Sequence, residues 1–197
     1  MRISELNRMS RGRFVSRFLK DQGGVASIEF LLIFPLLLAL LFGTVQFTAG
    51  YAALRKVAVV SRTMSDLISQ STSVCTANID NALAVGKAVM WPYPNTNMST
   101  TISQVYVDPT THKPQIDWSR GSIKHTKGDP VTVPKDIAVD GRYLIMSEVG
   151  YDFTPSVGYT MENNQGFMSK TFHMSKTNFT APRQTISVPY DPNAPCS

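Results

Sequence analysis

One carboxylate of this chain stands where a carboxylate is costly. Glu29 lies in Gly23-Gly24-Val25-Ala26-Ser27-Ile28-Glu29-Phe30, and the run FLLIFPLLLALLFGTV that starts at Phe30 carries no charge. At mid-bilayer such a charge costs ~2.5–3.5 kcal/mol, and less near the interface. The two glycines ahead of it make an unhindered peptide that a protease can enter. Cutting after Gly24 would release Val25 as a new ammonium, with Glu29 as the fifth residue of the product. In apolar surroundings an ammonium and a carboxylate attract strongly, so one subunit's Glu29 is suited to fix the register of its neighbour. The alternative is a plain signal anchor whose Glu29 sits solvated among headgroups.

Little else offers chemistry. His112, His125 and His173 stand isolated, with no HExxH and no His/carboxylate cluster of metal type. There is no GxSxG elbow, Walker loop or GxGxxG. The expectation is therefore no catalytic residue, no metal ligand, no cofactor and no small-molecule substrate. Asp117-Trp118 reads as the end of a strand with a core tryptophan rather than a sugar site. Tyr143, Tyr151, Phe153 and Tyr159 read mostly as sheet core.

The charge distribution excludes a nucleic-acid partner. The 197 residues carry a net charge of +5. Residues 1–24 hold Arg2, Arg8, Arg11, Arg13, Arg17 and Lys20 against Glu5 and Asp21, and so account for +4 of it. The basicity is an N-terminal arm, not the footprint of a nucleic-acid-binding domain.

From Val25 to Leu54 the chain runs 30 residues with Glu29 as its only charge. About 20 helical residues cross the ~30 Å hydrocarbon core, so this stretch is read as a membrane span. The Lys/Arg excess on its N-terminal side keeps the arm cytoplasmic and places residues after about 50 outside. A cleaved secretory signal fits less well: the apolar stretch is long, Pro35 comes early in it, and Phe47 and Tyr51 are bulky where a peptidase wants small residues.

Elements that position these groups follow from the periodicity. No proline falls between Leu36 and Trp91, and the helix is expected to continue from about Val25 to Gln70, roughly 70 Å. Leu54, Val57, Ser61, Met64 and Ile68 recur at spacings of three and four and define its inner face, with Arg55, Arg62, Ser65 and Asp66 mostly elsewhere. Pro35 should kink it, and the hydroxyl-rich Ser69–Thr76 should end it. A second helix is expected from Asn78 to about Met90, capped by Thr76, with Ile79, Leu83 and Met90 on one stripe. Strands are expected at Thr100–Asp108, Gln115–Ser119, Val131–Val133 and Arg142–Phe153, with weaker ones at Gly166–Met174 and Thr185–Val188. Hairpin-like connections imply an antiparallel sheet. Cys75 and Cys196, the only cysteines, lie 121 positions apart. Outside the inner membrane they are suited to pair and tie the C-terminus to the end of the long helix, contributing ~3–5 kcal/mol in the chain-entropy model. Two unrelated thiols are the alternative.

The stretch GGVASIEFLLIFPLLLALLFGTVQF…ALRKVAVVSRTMSDL, with Gly-x-x-x-x-Glu-Phe after a basic arm, resembles the TadE-like family of tight-adherence (Flp) pilus assembly over residues 23–67. IDWSR, PYP and EVGYDFTP in the distal half resemble the ectodomains of TadE/TadG-like proteins less specifically. The resemblance implies a minor pseudopilin cut by a prepilin peptidase. Gly24 would precede the cut, Val25 would be the mature N-terminus, and Glu29, with Phe30 after it, would serve recognition and assembly. Its implied partners are the inner membrane, the peptidase, other pilins or pseudopilins and the assembly platform. Gln46 departs from the family, whose members often carry Glu there, and this puts one helix–helix contact in doubt. The expected fold is a pilin-like α+β arrangement. The chain would divide into a leader (1–24), a transmembrane helix (25–50), its amphipathic extension (51–74) and an extracytoplasmic domain (75–197). The function expected is assembly of a tight-adherence pilus or related secretion system. The alternative is an unprocessed, signal-anchored periplasmic binding or adhesion module.

Overall fold

The computed structural model describes residues 23–155 and 171–193. It is α+β, in the order α1 (Gly23–Ser69), α2 (Thr76–Val89), β1 (Met98–Val107), β2 (Pro114–Gly121), β3 (Tyr143–Phe153) and β4 (Phe172–Thr180). The chain divides into two compact units, Met1–Phe47 and Thr48–Ser197, with α1 running through the boundary.

In the first unit α1 presents apolar side chains on all sides: Leu31, Leu32, Leu36, Leu40, Leu41 and Phe47 are all exposed. A helix apolar all round has no water-facing side, which suits lipid rather than a domain core. Pro35 lies within the helix without ending it. Thr44 donates its hydroxyl to the Leu40 carbonyl at 2.7 Å, so this hydroxyl is satisfied inside the helix.

In the second unit α1 becomes amphipathic and packs on the sheet. Ala53, Val57, Val60, Met64 and Ile68 form its buried stripe and join Ile79, Met90, Ile102, Ile145 and Val149 in the main core. Leu54, expected on this face, is 41% exposed; at ~100° per residue Ala53 takes the inward position instead. Ser65 is buried, not outward, and with Ser61 and Ser69 makes a row of hydroxyls every fourth residue. Small side chains let the helix approach the sheet closely, and the sheet satisfies two of them. Ser61 Oγ lies 2.9 Å from Ser147 Oγ, and Ser65 Oγ lies 3.0 Å from Thr180 Oγ1 and accepts from Asn178 Nδ2 at 2.7 Å.

Helix α2 starts earlier than the sequence suggests. Cys75, not Thr76, is its N-cap, its sulfur accepting from the Asn78 N–H at 3.4 Å. The buried positions are Ile79, Ala82 and Gly86, with Leu83 only half-buried. Gly86 is the contact point with α1: a Cβ there would lie 2.6 Å from Met64 Sδ and 3.2 Å from Val60 Cγ1.

All pairings in the sheet are antiparallel, in the order β2-β1-β3-β4. The register of β1 and β2 shifts between Gln104 and Val105, leaving Asp117 as the extra residue of a bulge. Both faces of β1 are covered. Residues such as Ile102 face α1, while Val105 joins Ile116, Leu144, Met146 and Val133 in a second core.

Val131–Val133 is therefore a cover, not a strand. A single bridge links Gln115 to Pro130, and Pro130 and Pro134 remove the N–H groups a ladder would need. Thr185–Val188 also forms no strand. Its backbone is held by side chains, since Val188 N donates to Gln104 Oε1 at 2.7 Å and Val188 O accepts from Trp118 Nε1 at 2.9 Å. The strand expected at Gly166–Met174 is β4, which starts at Phe172; residues 166–170 and Tyr159 lie outside the described residues.

Candidate functional site

The candidate site is the start of α1. The described part of α1 runs from Gly23, so the Gly24–Val25 amide lies within the helix. Both glycines are thus helical. Glu29 follows position 25 by four residues, one turn further on, and is exposed, as are Gly24 and Phe30. Phe30 packs against Phe34, ring centroids 5.4 Å apart, which leaves Glu29 flanked by aromatic and aliphatic surface. Among the described residues of α1, Glu29 is the first carboxylate. What this arrangement offers is one exposed anionic group on an exposed apolar rod.

The distal motifs converge on the same helix, twenty residues further along. In the second unit Tyr93 of PYP donates its hydroxyl to the Ala49 carbonyl at 3.1 Å and meets Tyr151 edge-on at 6.4 Å. Phe153 of EVGYDFTP lies against Gly50, where an added Cβ would sit 3.4 Å from the ring. Trp118 of IDWSR stacks at 5.7 Å on Tyr190 and is half-buried within β2, not at its end. These motifs grip the helix and the C-terminal segment; among them are no converging nucleophile and base.

The histidines are not isolated in space. His125 Nε2 lies 2.6 Å from Glu148 Oε2, His173 Nδ1 2.6 Å from Asp152 Oδ1, and His112 Nδ1 2.7 Å from Asp140 Oδ2. Sequence spacing hides these pairs, because each joins residues more than twenty positions apart that only strand and loop register brings together. Among the described residues no three His, Cys, Asp or Glu side chains group as metal ligands.

Sequence reasoning missed Gln104, which is 1% exposed and bonds on both sides. Its Nε2 donates to the bulged Asp117 at 2.9 Å, and its Oε1 accepts from Val188. Asp117 also accepts from Lys127 Nζ at 2.8 Å, and that contact raises the lysine's pKa above its ordinary value. Cys75 caps α2, and Cys196 lies outside the described residues.

Among the described residues one helix, Ser27–Ser69, is long and apolar enough to cross a membrane, which fits a single-pass anchor. No curated protein and no solved structure matches the chain. Residues 24–62, which run from the glycine before the candidate scissile bond to the sheet-facing stripe of α1, match the family model of the TadE-like protein.

Proposed function

We propose that this chain is a minor pseudopilin of a tight-adherence pilus assembly system, held in the inner membrane by α1 with its N-terminus cytoplasmic and its sheet domain outside. A prepilin peptidase cuts after Gly24, and the chain joins other pilins or pseudopilins through the helix that then begins at Val25. The observation that carries this reading is the coincidence of the TadE-like match at residues 24–62 with a helix whose first half is exposed and apolar on every side. Such a helix needs apolar partners, first lipid and then the helices of neighbouring subunits. Glu29 sets the register by meeting a neighbour's Val25 ammonium, a contact worth most where water is excluded.

The test is the N-terminus of the protein extracted from its native membrane. The expected first residue is Val25, and a bulky replacement of Gly24 leaves the precursor uncut. A mature protein still carrying Met1–Gly24 would overturn the processing step and favour an unprocessed anchored module.

A further inference from the structure

Trp91 is 77% exposed, yet the loop that carries it is held firmly. Its carbonyl accepts from Lys56 Nζ at 2.9 Å, and the same ammonium donates to the Val89 carbonyl at 3.1 Å at the end of α2. Its own N–H donates to the Ala88 carbonyl at 3.2 Å, and Tyr93 N–H donates to Met90 O at 3.0 Å. The loop is then pinned to α1 by the bond from the Tyr93 hydroxyl to the Ala49 carbonyl. A large indole held out on a fixed loop gains nothing from the protein's own core. Tryptophan has an apolar body and one polar N–H, which suits a surface that is apolar on one side and wet on the other.

The position of that loop along α1 identifies the surface. The uncharged run starts at Phe30, and Ala49 is its twentieth residue. Twenty helical residues span ~30 Å, the thickness of a hydrocarbon core, so Ala49 falls at the far edge of the membrane. Tyr51, 57% exposed, lies two residues beyond, and Arg55 and Lys87 are exposed nearby in the sequence of the helices that flank the loop. Exposed Trp and Tyr with basic residues just past an apolar span are the composition of a membrane–water interface.

We propose that the Trp91–Pro94 loop is a second, non-spanning membrane contact, with the Trp91 indole seated among the headgroups of the bilayer that α1 crosses. The loop and α1 together hold the sheet domain at the lipid surface. This rests on the reading of α1 as a membrane anchor.

The full-length chain, reconstituted into vesicles of phosphatidylethanolamine and phosphatidylglycerol, tests it. A fraction of the lipid is brominated high on the acyl chain, so that only tryptophan at the interface is quenched. Trp118 is common to both chains compared, so the difference between wild type and Trp91→Phe reports Trp91 alone. The expected result is quenching of the wild-type emission and its loss in Trp91→Phe. Equal quenching in the two chains, with both retained by the vesicles in alkaline carbonate, would overturn the loop contact and leave the anchor standing. Release of the chain by carbonate would overturn both. Shielding of Trp91 from aqueous iodide that rises with protein density in the vesicle would assign the indole to a second copy of the chain and also overturn the proposal.

Discussion

Ser61 and Ser147 hold each other from opposite elements. Ser61 Oγ donates to the Ser147 carbonyl at 3.1 Å, and Ser147 Oγ donates to the Ser61 carbonyl at 2.5 Å, both in the fully buried contact between α1 and β3. Such a bond contributes only about 1 kcal/mol net, because water would otherwise serve each hydroxyl. Its larger consequence is steric, since two small side chains fix how near the helix lies to the sheet. Ser61→Ala is expected to cost about 1 kcal/mol in thermal unfolding of the detergent-solubilised chain. Ser61→Leu removes the bond and also overfills the contact, and should cost more than the alanine variant, toward the upper end of about 1–3 kcal/mol. Equal effects of the two would show that spacing is not set here.

The end of β2 is constrained in a different way. Gly121 has φ +144, and a Cβ there would run into the Thr100 carbonyl and lie 2.5 Å from the Thr101 Cα. The backbone of β1 cannot retreat without breaking its ladder to β3. Gly121→Ala is expected to destabilise the sheet domain by about 1–3 kcal/mol through strain, and by more if β2 detaches. A melting temperature equal to that of wild type would contradict this.

Much of this arrangement was legible in the sequence, and what was not has a common cause. The long helix, the second helix and the principal strands follow from apolar periodicity, which local residues express. The expectation of a leader before Val25 rests on Glu29 and the glycines alone. Spacing places Ser61 on the inner face, whereas it turns Ser65 outward and passes over Gly86, because small residues carry no hydrophobic signal. Their importance comes from what approaches them. Val131–Val133 and Thr185–Val188 looked like strands because β-branched residues suit any segment laid on a sheet, including a cover. Gln104 and the His–carboxylate pairs depend on register, and the bulge at Asp117 shifts that register by one residue. No local pattern announces such a shift.

Alkaline pH should weaken the domain through one phenol. Tyr151 is buried, and that burial, with Tyr93 beside it, pushes its pKa above the ordinary 10.0. The folded state therefore keeps the proton where the unfolded chain releases it. By linkage the stability is unaffected below about pH 10 and falls as pH rises past that value toward the folded pKa. Tyr151→Phe cannot ionise, so its denaturant midpoint should fall less than that of wild type between about pH 9 and about pH 11. Parallel declines in the two proteins would rule Tyr151 out as the cause.

A Cys75–Cys196 bond is expected in the exported protein. The C-terminal segment already runs beside Val74: Val74 N–H donates to the Pro189 carbonyl at 3.0 Å and Asp191 N–H to the Val74 carbonyl at 3.1 Å. Tyr190 Oη adds a contact with Thr76 Oγ1 at 3.1 Å. Four residues separate Asp191 from Cys196, which is enough chain to return to Cys75. Non-reducing gels after thiol alkylation should show no reactive thiol, and reduction should lower stability by about 3–5 kcal/mol. Alkylation of both cysteines in the unreduced protein would exclude the bond.

Glu29 offers the sharpest separation between a pseudopilin and a simple anchor. The backbone of α1 is satisfied by its own hydrogen bonds, so the carboxylate is not needed for the helix to form in lipid. Its exposure among Ile28, Phe30 and Leu31 makes it a cost to insertion and no aid to folding. Glu29→Leu should therefore be stable, inserted at normal levels and cut after Gly24. In a simple anchor the substitution would be silent or slightly stabilising, because only a costly charge has gone. In a pseudopilin it removes the partner of the neighbour's Val25 ammonium, which is then left unpaired in an apolar environment. The variant should fail to co-purify with other pilins and should abolish pilus formation at membrane levels equal to wild type, and Glu29→Asp should restore part of it. Normal assembly by the leucine variant would remove the reason for a charge at this position and leave the anchored-module reading in front.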